Sequence, residues 1–147
     1  MLKGIDPLLT PELLMHLCAM GHGEWVVVVD ANFTADYLAK GKPVVRLPGH
    51  SLERVAQALL TVFPLALDVP QPAGYMQHGD LPVGQTTAAQ AAFINLVQKT
   101  EALRPDQVES IERFDFYERI ERTSLIVQSG EATAYGNAIL CKGVILP

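Results

Sequence analysis

The sequence predicts an α/β domain in which helices and strands alternate around a mostly parallel sheet. Two observations carry that expectation. WVVVVD, residues 25–30, is a continuous β-branched run with no polar alternation, which suits a strand covered on both faces. Segments of helical period stand between this run and further strand-like runs along the chain, the pattern of a layered α/β fold.

Thr10-Pro11-Glu12 opens the first helix with a hydroxyl N-cap, a proline in the first turn and an acid that suits the dipole. Leu13, Leu14, Leu17 and Met20 follow at helical spacing, and Gly21 is expected to end it. After the valine strand, PVVRL (43–47) reads as a short strand, and Ser51 as the cap of a helix through LERVAQALLTVF. Residues 64–72 read as loop, AGYMQH as a strand and 85–100 as a helix. VESIER (108–113) reads as another strand. Asp115 with Glu118 three residues on marks a helix start in FDFYERIER. The C-terminal stretch, SLIVQSGEATAYGNAILCKGVIL, holds two β-rich runs around a Gly- and Ser-containing loop.

At 147 residues, 49% hydrophobic and 18% charged, the chain is expected to form one domain over 1–147 with a full core. The apolar balance also points to surface hidden against other subunits. A net charge of −5 with eleven scattered basic residues argues against nucleic acid. No apolar run approaches the roughly 20 residues that cross a bilayer. The start, MLKGIDPLL, lacks a signal peptide's apolar run and cleavage site, so a cytoplasmic protein is expected. Cys18 and Cys141 both sit in apolar settings and are expected to be buried free thiols.

In an open α/β sheet, ligands gather beyond the carboxyl ends of the strands, where Asp30 falls. His22 lies in the Gly-flanked turn entering the same strand. Eight strand-like residues would hold the two more than ~20 Å apart, so a sharp bend after Gly23 or a neighbouring subunit would have to unite them. The competing reading makes His22 a surface residue and Asp30 a turn former. His16 reads as structural, His50 and His78 as solvated loop residues. No HxH, HExxH or paired CxxC spacing supports a metal. No GxGxxG, P-loop or GxSxG supports a nucleotide cofactor or nucleophile elbow. Arg113, at the end of a predicted strand, offers a fork of donors for vicinal hydroxyls; a surface salt bridge to Glu109 or Glu112 competes with that. Tyr135, Gly136 and Asn137 offer a phenol, a close-approach backbone and an amide, suited to a polyhydroxylated ligand. An ordinary turn between strands is the alternative.

Taken in order, MLKGIDPLLTPELL, MGHGE with VVDANF, ERFDFYER and SGEATAYGNAILCKGV resemble the RbsD/FucU family of fucose mutarotases and ribose pyranases. The matching segments make up nearly half the chain, and residues 65–105 carry no motif that matches. The resemblance is closer to the fucose branch, since ribose-type members place a histidine where Arg113 stands. It implies a three-layer α/β/α domain, a ring-shaped homodecamer with sites near subunit contacts, and interconversion of the anomers of a free monosaccharide. It implies His22 as general acid, Asp30 and Arg113 as substrate contacts, and Tyr135-Gly136-Asn137 as a substrate-binding segment. Thr34 replaces a proline common in fucose-type sequences, which bears on loop shape and sugar choice.

The reaction needs an acid at the ring oxygen and a base at the anomeric hydroxyl, with no metal and no cofactor. Histidine, with an ordinary pKa of about 6.5, suits the proton donor's part, and Tyr135 is the candidate second proton carrier. Trp25, Phe114 and Tyr117 are candidates to pack on the sugar's apolar face. D-Ribose pyranase-type activity and a non-catalytic sugar-binding accessory of a transport or catabolic system are the rival functions.

Overall fold

The computed structural model describes residues 2–146, a six-stranded sheet in the order β2-β5-β1-β6-β3-β4 with helices on both faces. In chain order the elements are α1 (Pro11–Ala19), β1 (Trp25–Val29), α2 (Ala35–Ala39), β2 (Val44–Leu47), α3 (Leu52–Leu60), β3 (Ala73–Met76), α4 (Ala88–Glu101), β4 (Val108–Ile111), α5 (Arg113–Ile120), β5 (Leu125–Ser129) and β6 (Ala138–Cys141). A single 3-10 turn, Pro105–Gln107, leads into β4.

The four valines are explained by the two-residue period of a strand with both faces covered. Val26 and Val28 point into the core shared with α1, α3 and α4, while Val27 and Val29 point into the core shared with α2 and α5. All four are fully buried, which contributes about 1.5–3 kcal/mol each. The three-layer α/β/α expectation therefore holds.

Three of the five strand pairings are parallel: β1·β5, β2·β5 and β3·β4. β6 is antiparallel to both neighbours, so the sheet is mixed. That reversal shapes the function. It brings the start of β6 to the same edge as the ends of β1 and β3, with Ala138 opposite Val28 and Tyr75.

The hydroxyl caps expected on α1 and α3 form. Thr10 Oγ1 accepts from Leu13 N at 3.2 Å and Ser51 Oγ from Arg54 N at 3.2 Å. Thr87 and Gln90 form a reciprocal capping box on α4, at 3.2 and 2.9 Å.

Other expectations need correction. α1 ends on Met20, whose extended backbone breaks the ladder before Gly21 is reached. β4 stops at Ile111 because the Glu112 carboxylate accepts from Phe114 N at 2.6 Å and Asp115 N at 3.3 Å, capping α5. The helix thus starts at Arg113, before Asp115, and Arg113 is helical rather than a strand end. Cys18 is exposed on α1; Cys141 alone is buried, and both are free thiols.

Candidate active site

At the edge where β1, β3 and β4 end and β6 begins, the chain leaves a cleft of about 290 Å³. Its lining is Asp30, Asn32, Phe33, Thr34, Met76, Arg113, Tyr117, Ala134, Tyr135 and Asn137. This is the carboxyl-end crevice where α/β sheets bind ligands, at the small end of the range for such sites.

Asp30 forms the floor. It is only 6% exposed and Asn137 2%. The two lock reciprocally: Asn137 Oδ1 accepts from the Asp30 backbone N–H at 2.8 Å, and Asn137 Nδ2 donates to Asp30 Oδ2 at 3.0 Å. Asn32 N–H donates to Asp30 Oδ1 at 2.9 Å. Burial pushes the Asp30 carboxyl above its ordinary range; the hydrogen bonds from Asn32 and Asn137 oppose that shift, and nearby Glu131 adds to it. The carboxylate is held rigidly, with both oxygens already engaged from the protein side.

Tyr135 forms one wall. Its φ of 61° is left-handed, which costs a non-glycine residue on the order of 1–3 kcal/mol. The surroundings enforce it. Gln90, buried on α4, donates through Nε2 to the carbonyls of both Met76 (2.7 Å) and Tyr135 (3.1 Å). Gly136 follows in tight quarters: a Cβ there would lie 2.7 Å from Glu131 Cγ and 2.9 Å from the Thr133 carbonyl. Gly136→Ala is therefore expected to destabilise the fold by about 1–3 kcal/mol, read as a lowered denaturant midpoint. An unchanged midpoint would show that this turn is looser than its contacts imply.

Arg113 stands at the mouth, and the competing salt bridges are absent. Glu109 is engaged by Arg119 through two hydrogen bonds of 2.6 Å, and Glu112 caps α5. Arg113 Nε instead donates to Tyr117 Oη at 3.2 Å. Its guanidinium carbon lies 5.6, 5.8 and 5.9 Å from the ring centres of Tyr117, Phe114 and Tyr135. An aromatic cradle with no carboxylate partner among the described residues leaves guanidinium donors for a ligand.

His22 does not line this cleft. It lies at the opposite end of β1, where the Gly23 N–H donates to the Lys142 carbonyl just past β6. The five-residue strand alone spans roughly 16 Å, so the separation read from the sequence holds within one copy. There His22 Nε2 meets Asp68, 3.0 Å from Oδ2 and 3.2 Å from Oδ1. The hydrogen bond to His22 holds the Asp68 carboxyl below its ordinary range. Both side chains are largely exposed, at 45% and 61%. No single copy joins His22 to the other candidate residues.

Tyr117 and Phe33, tilted against each other at 5.8 Å, supply the cleft's aromatic surface, whereas Trp25 sits at the far end of β1 and does not line it. No local pattern marked Asp68, which meets His22 from 46 positions away, or Gln90. His78, expected to be solvated, is half-buried with its ring 4.3 Å from that of Tyr135. Among the described residues, no group of three His, Cys, Asp or Glu side chains is placed to hold a metal ion, and no helix is long and apolar enough to cross a membrane. A buried carboxylate, an amide, a guanidinium and two phenols around a small cavity suit several hydroxyls at once.

The RbsD / FucU transport protein family matches residues 3–145. The chain is 36% identical to human fucose mutarotase, covering 98% of this chain and 94% of that protein. It is 38% identical to L-fucose mutarotase of Haemophilus influenzae strain 86-028NP, over 98% and 97%. Among solved structures, FucU of Bifidobacterium longum superposes with a TM-score of 0.90 at 38% identity, over 98% of this chain and 100% of the other. The fucose mutarotase of Streptococcus pneumoniae in complex with L-fucose superposes with a TM-score of 0.86 at 28% identity, over 99% and 100%.

Proposed function

The chain belongs to the RbsD / FucU family, and on that premise we propose that it is a mutarotase. It interconverts the α and β anomers of a free aldose, L-fucose foremost, by acid–base opening and closing of the sugar ring. One observation carries the reading beyond family membership. The binding groups are gathered at one end of β1, and the imidazole best suited to proton transfer stands exposed at the other, already paired with a carboxylate.

The two halves work together when a second copy brings its His22–Asp68 end to the mouth of the cleft. Large exposed apolar side chains support such a contact at both places. Phe114 (68% exposed) stands beside Arg113, while Leu67 (60%) adjoins Asp68 and Val144 and Ile145 (55% and 84%) follow Gly143, which bonds back to Pro64. A contact between different surfaces closes into a ring when the rotation permits. The assembly we propose is a ring-shaped homodecamer. Two free thiols, one of them exposed on Cys18, suit the reducing cytoplasm we assign to it.

The chemistry then divides among named groups. Asp68 accepts from Nε2 of His22 and stabilises its imidazolium, leaving Nδ1 to deliver a proton to the endocyclic oxygen. Tyr135 exchanges a proton with the anomeric hydroxyl as the ring opens to the aldehyde. Rotation about C1–C2 presents the other carbonyl face, and the same groups run in reverse. Asp30 and Asn137 accept and donate to ring hydroxyls, Arg113 holds a vicinal pair, and Tyr117 with Phe33 packs against the apolar sugar face. The protein's contribution is orientation plus two proton transfers.

Saturation-transfer NMR across L-fucose, D-ribose and other free aldoses tests this directly. Exchange of the L-fucose anomers is expected to be accelerated well above the other sugars. Calorimetric binding of L-fucose without accelerated exchange would overturn it in favour of a sugar-binding accessory.

A further inference from the structure

Tyr135 has a neighbour that neither the family resemblance nor the cleft lining includes. His78 follows β3 in the loop leading toward α4, half-buried, with its ring centre 4.3 Å from that of Tyr135 and tilted by 39°. Its own loop fixes the imidazole, since the Asp80 N–H donates to His78 Nδ1 at 3.2 Å. The next residue, Gly79, leaves room for the phenol: a Cβ there would stand 3.1 Å from Tyr135 Oη. Arg113 approaches the same ring, its guanidinium carbon 5.9 Å from the centre.

Backbone bonds do not explain the ring's direction. Gln90 ties the Tyr135 carbonyl to that of Met76, and Met76 N–H donates to the Asn137 carbonyl at 3.0 Å. These anchor the main chain in its left-handed turn but leave the side-chain torsions free. What limits the torsions is the imidazole packed against the ring at a 39° tilt and the bare backbone of Gly79 near its oxygen.

We propose that His78 is a positioning residue for the reaction: its imidazole, with the Gly79 shelf, sets where the Tyr135 hydroxyl meets the anomeric hydroxyl. The role rests on the mutarotase reading, in which Tyr135 carries a proton. A displacement of about 1 Å in a reacting group can cost on the order of 10²-fold in rate, so a ring contact that fixes the phenol's angle has a measurable effect. His78 acts through Tyr135 and exchanges no proton with the sugar. An aromatic ring of similar size serves in its place.

The test compares His78→Ala, His78→Phe and Gly79→Ala with the wild-type assembly, using L-fucose exchange for kcat and KM and the Tyr135 ring resonances as a second readout. His78→Ala is expected to lower kcat roughly 5- to 20-fold with KM changed by less than about twofold. It should also move the Tyr135 ring protons downfield as the imidazole's ring current is lost. His78→Phe is expected to restore kcat to within about threefold and to keep the protons shielded. Gly79→Ala, which crowds the phenol, should lower kcat like His78→Ala. The proposal is overturned if kcat or the Tyr135 resonances are unchanged in His78→Ala, or if His78→Phe is no better than His78→Ala. A wild-type protein that leaves L-fucose exchange at its spontaneous rate would instead overturn the mutarotase reading and the role built on it. Wild-type exchange with unmoved Tyr135 resonances in His78→Ala sinks the His78 role alone.

Discussion

Replacing His22 with alanine is expected to slow anomer exchange by about 10²- to 10⁴-fold, the usual contribution of a positioned general acid. The fold should be indifferent. His22 is 45% exposed and its one partner, Asp68, is 61% exposed, so an ion pair of this kind adds little to stability. Sugar binding should survive better than turnover, because the cleft's own lining omits His22. Saturation transfer measures the rate and a thermal melt the fold. Exchange within twofold of wild type would remove His22 from the mechanism. Loss of stability along with activity would point instead to a structural role at the turn before β1.

The second large effect is expected at Asp30. Asp30→Asn preserves shape but gives one acceptor where the protein supplies two donors, Asn32 N–H and Asn137 Nδ2. It also removes the charge that would hold sugar hydroxyls. Hydrogen bonds to a charged group contribute about 1.5–3 kcal/mol, so kcat/KM should fall on the order of 10- to 100-fold.

Stability should respond to pH in a defined direction. Burial raises the Asp30 pKa in the folded state, so the folded protein holds this proton more tightly than the unfolded chain, where Asp titrates near 3.9. Wild-type stability from this group is greatest below the unfolded pKa and falls as pH rises to the raised folded value. Asn cannot titrate. The melting difference should therefore shift in favour of Asp30→Asn as pH rises through that window and level off above it. A difference that moved the other way would mean that hydrogen bonding outweighs burial at Asp30.

Much of the architecture was legible from local chemistry. The hydroxyl caps at Thr10 and Ser51 act within three residues, and the valine run states its own burial on both faces. What failed was decided by a competing local bond or by tertiary direction. Glu112 turns the end of a strand into the cap of a helix, and apolar period carries no information on strand direction, so antiparallel β6 was invisible. α2 has five residues and no side-chain cap bond, leaving little signal.

The cleft's residues were nameable because a β-strand end and a Tyr-Gly-Asn turn are local features. Their union depends on β6 reversing, which is not local. Asp68 and His78 were missed because each acquires its meaning from a partner distant in sequence, His22 and Tyr135 respectively. The separation of His22 from the cleft, by contrast, was legible from the length of the strand alone. In the proposed mechanism that separation makes assembly part of the chemistry.

Co-assembly tests that claim most directly. Asp30→Asn and His22→Ala chains, each expected to be slowed at least about tenfold alone, are co-expressed with different tags and mixed assemblies are isolated. If one copy's His22 serves another's cleft, random 1:1 mixing restores intact pairs at about a quarter of the sites, and L-fucose exchange should return to about that fraction of wild type. Mixed assemblies no more active than the two separate variants would contradict a site built from two copies.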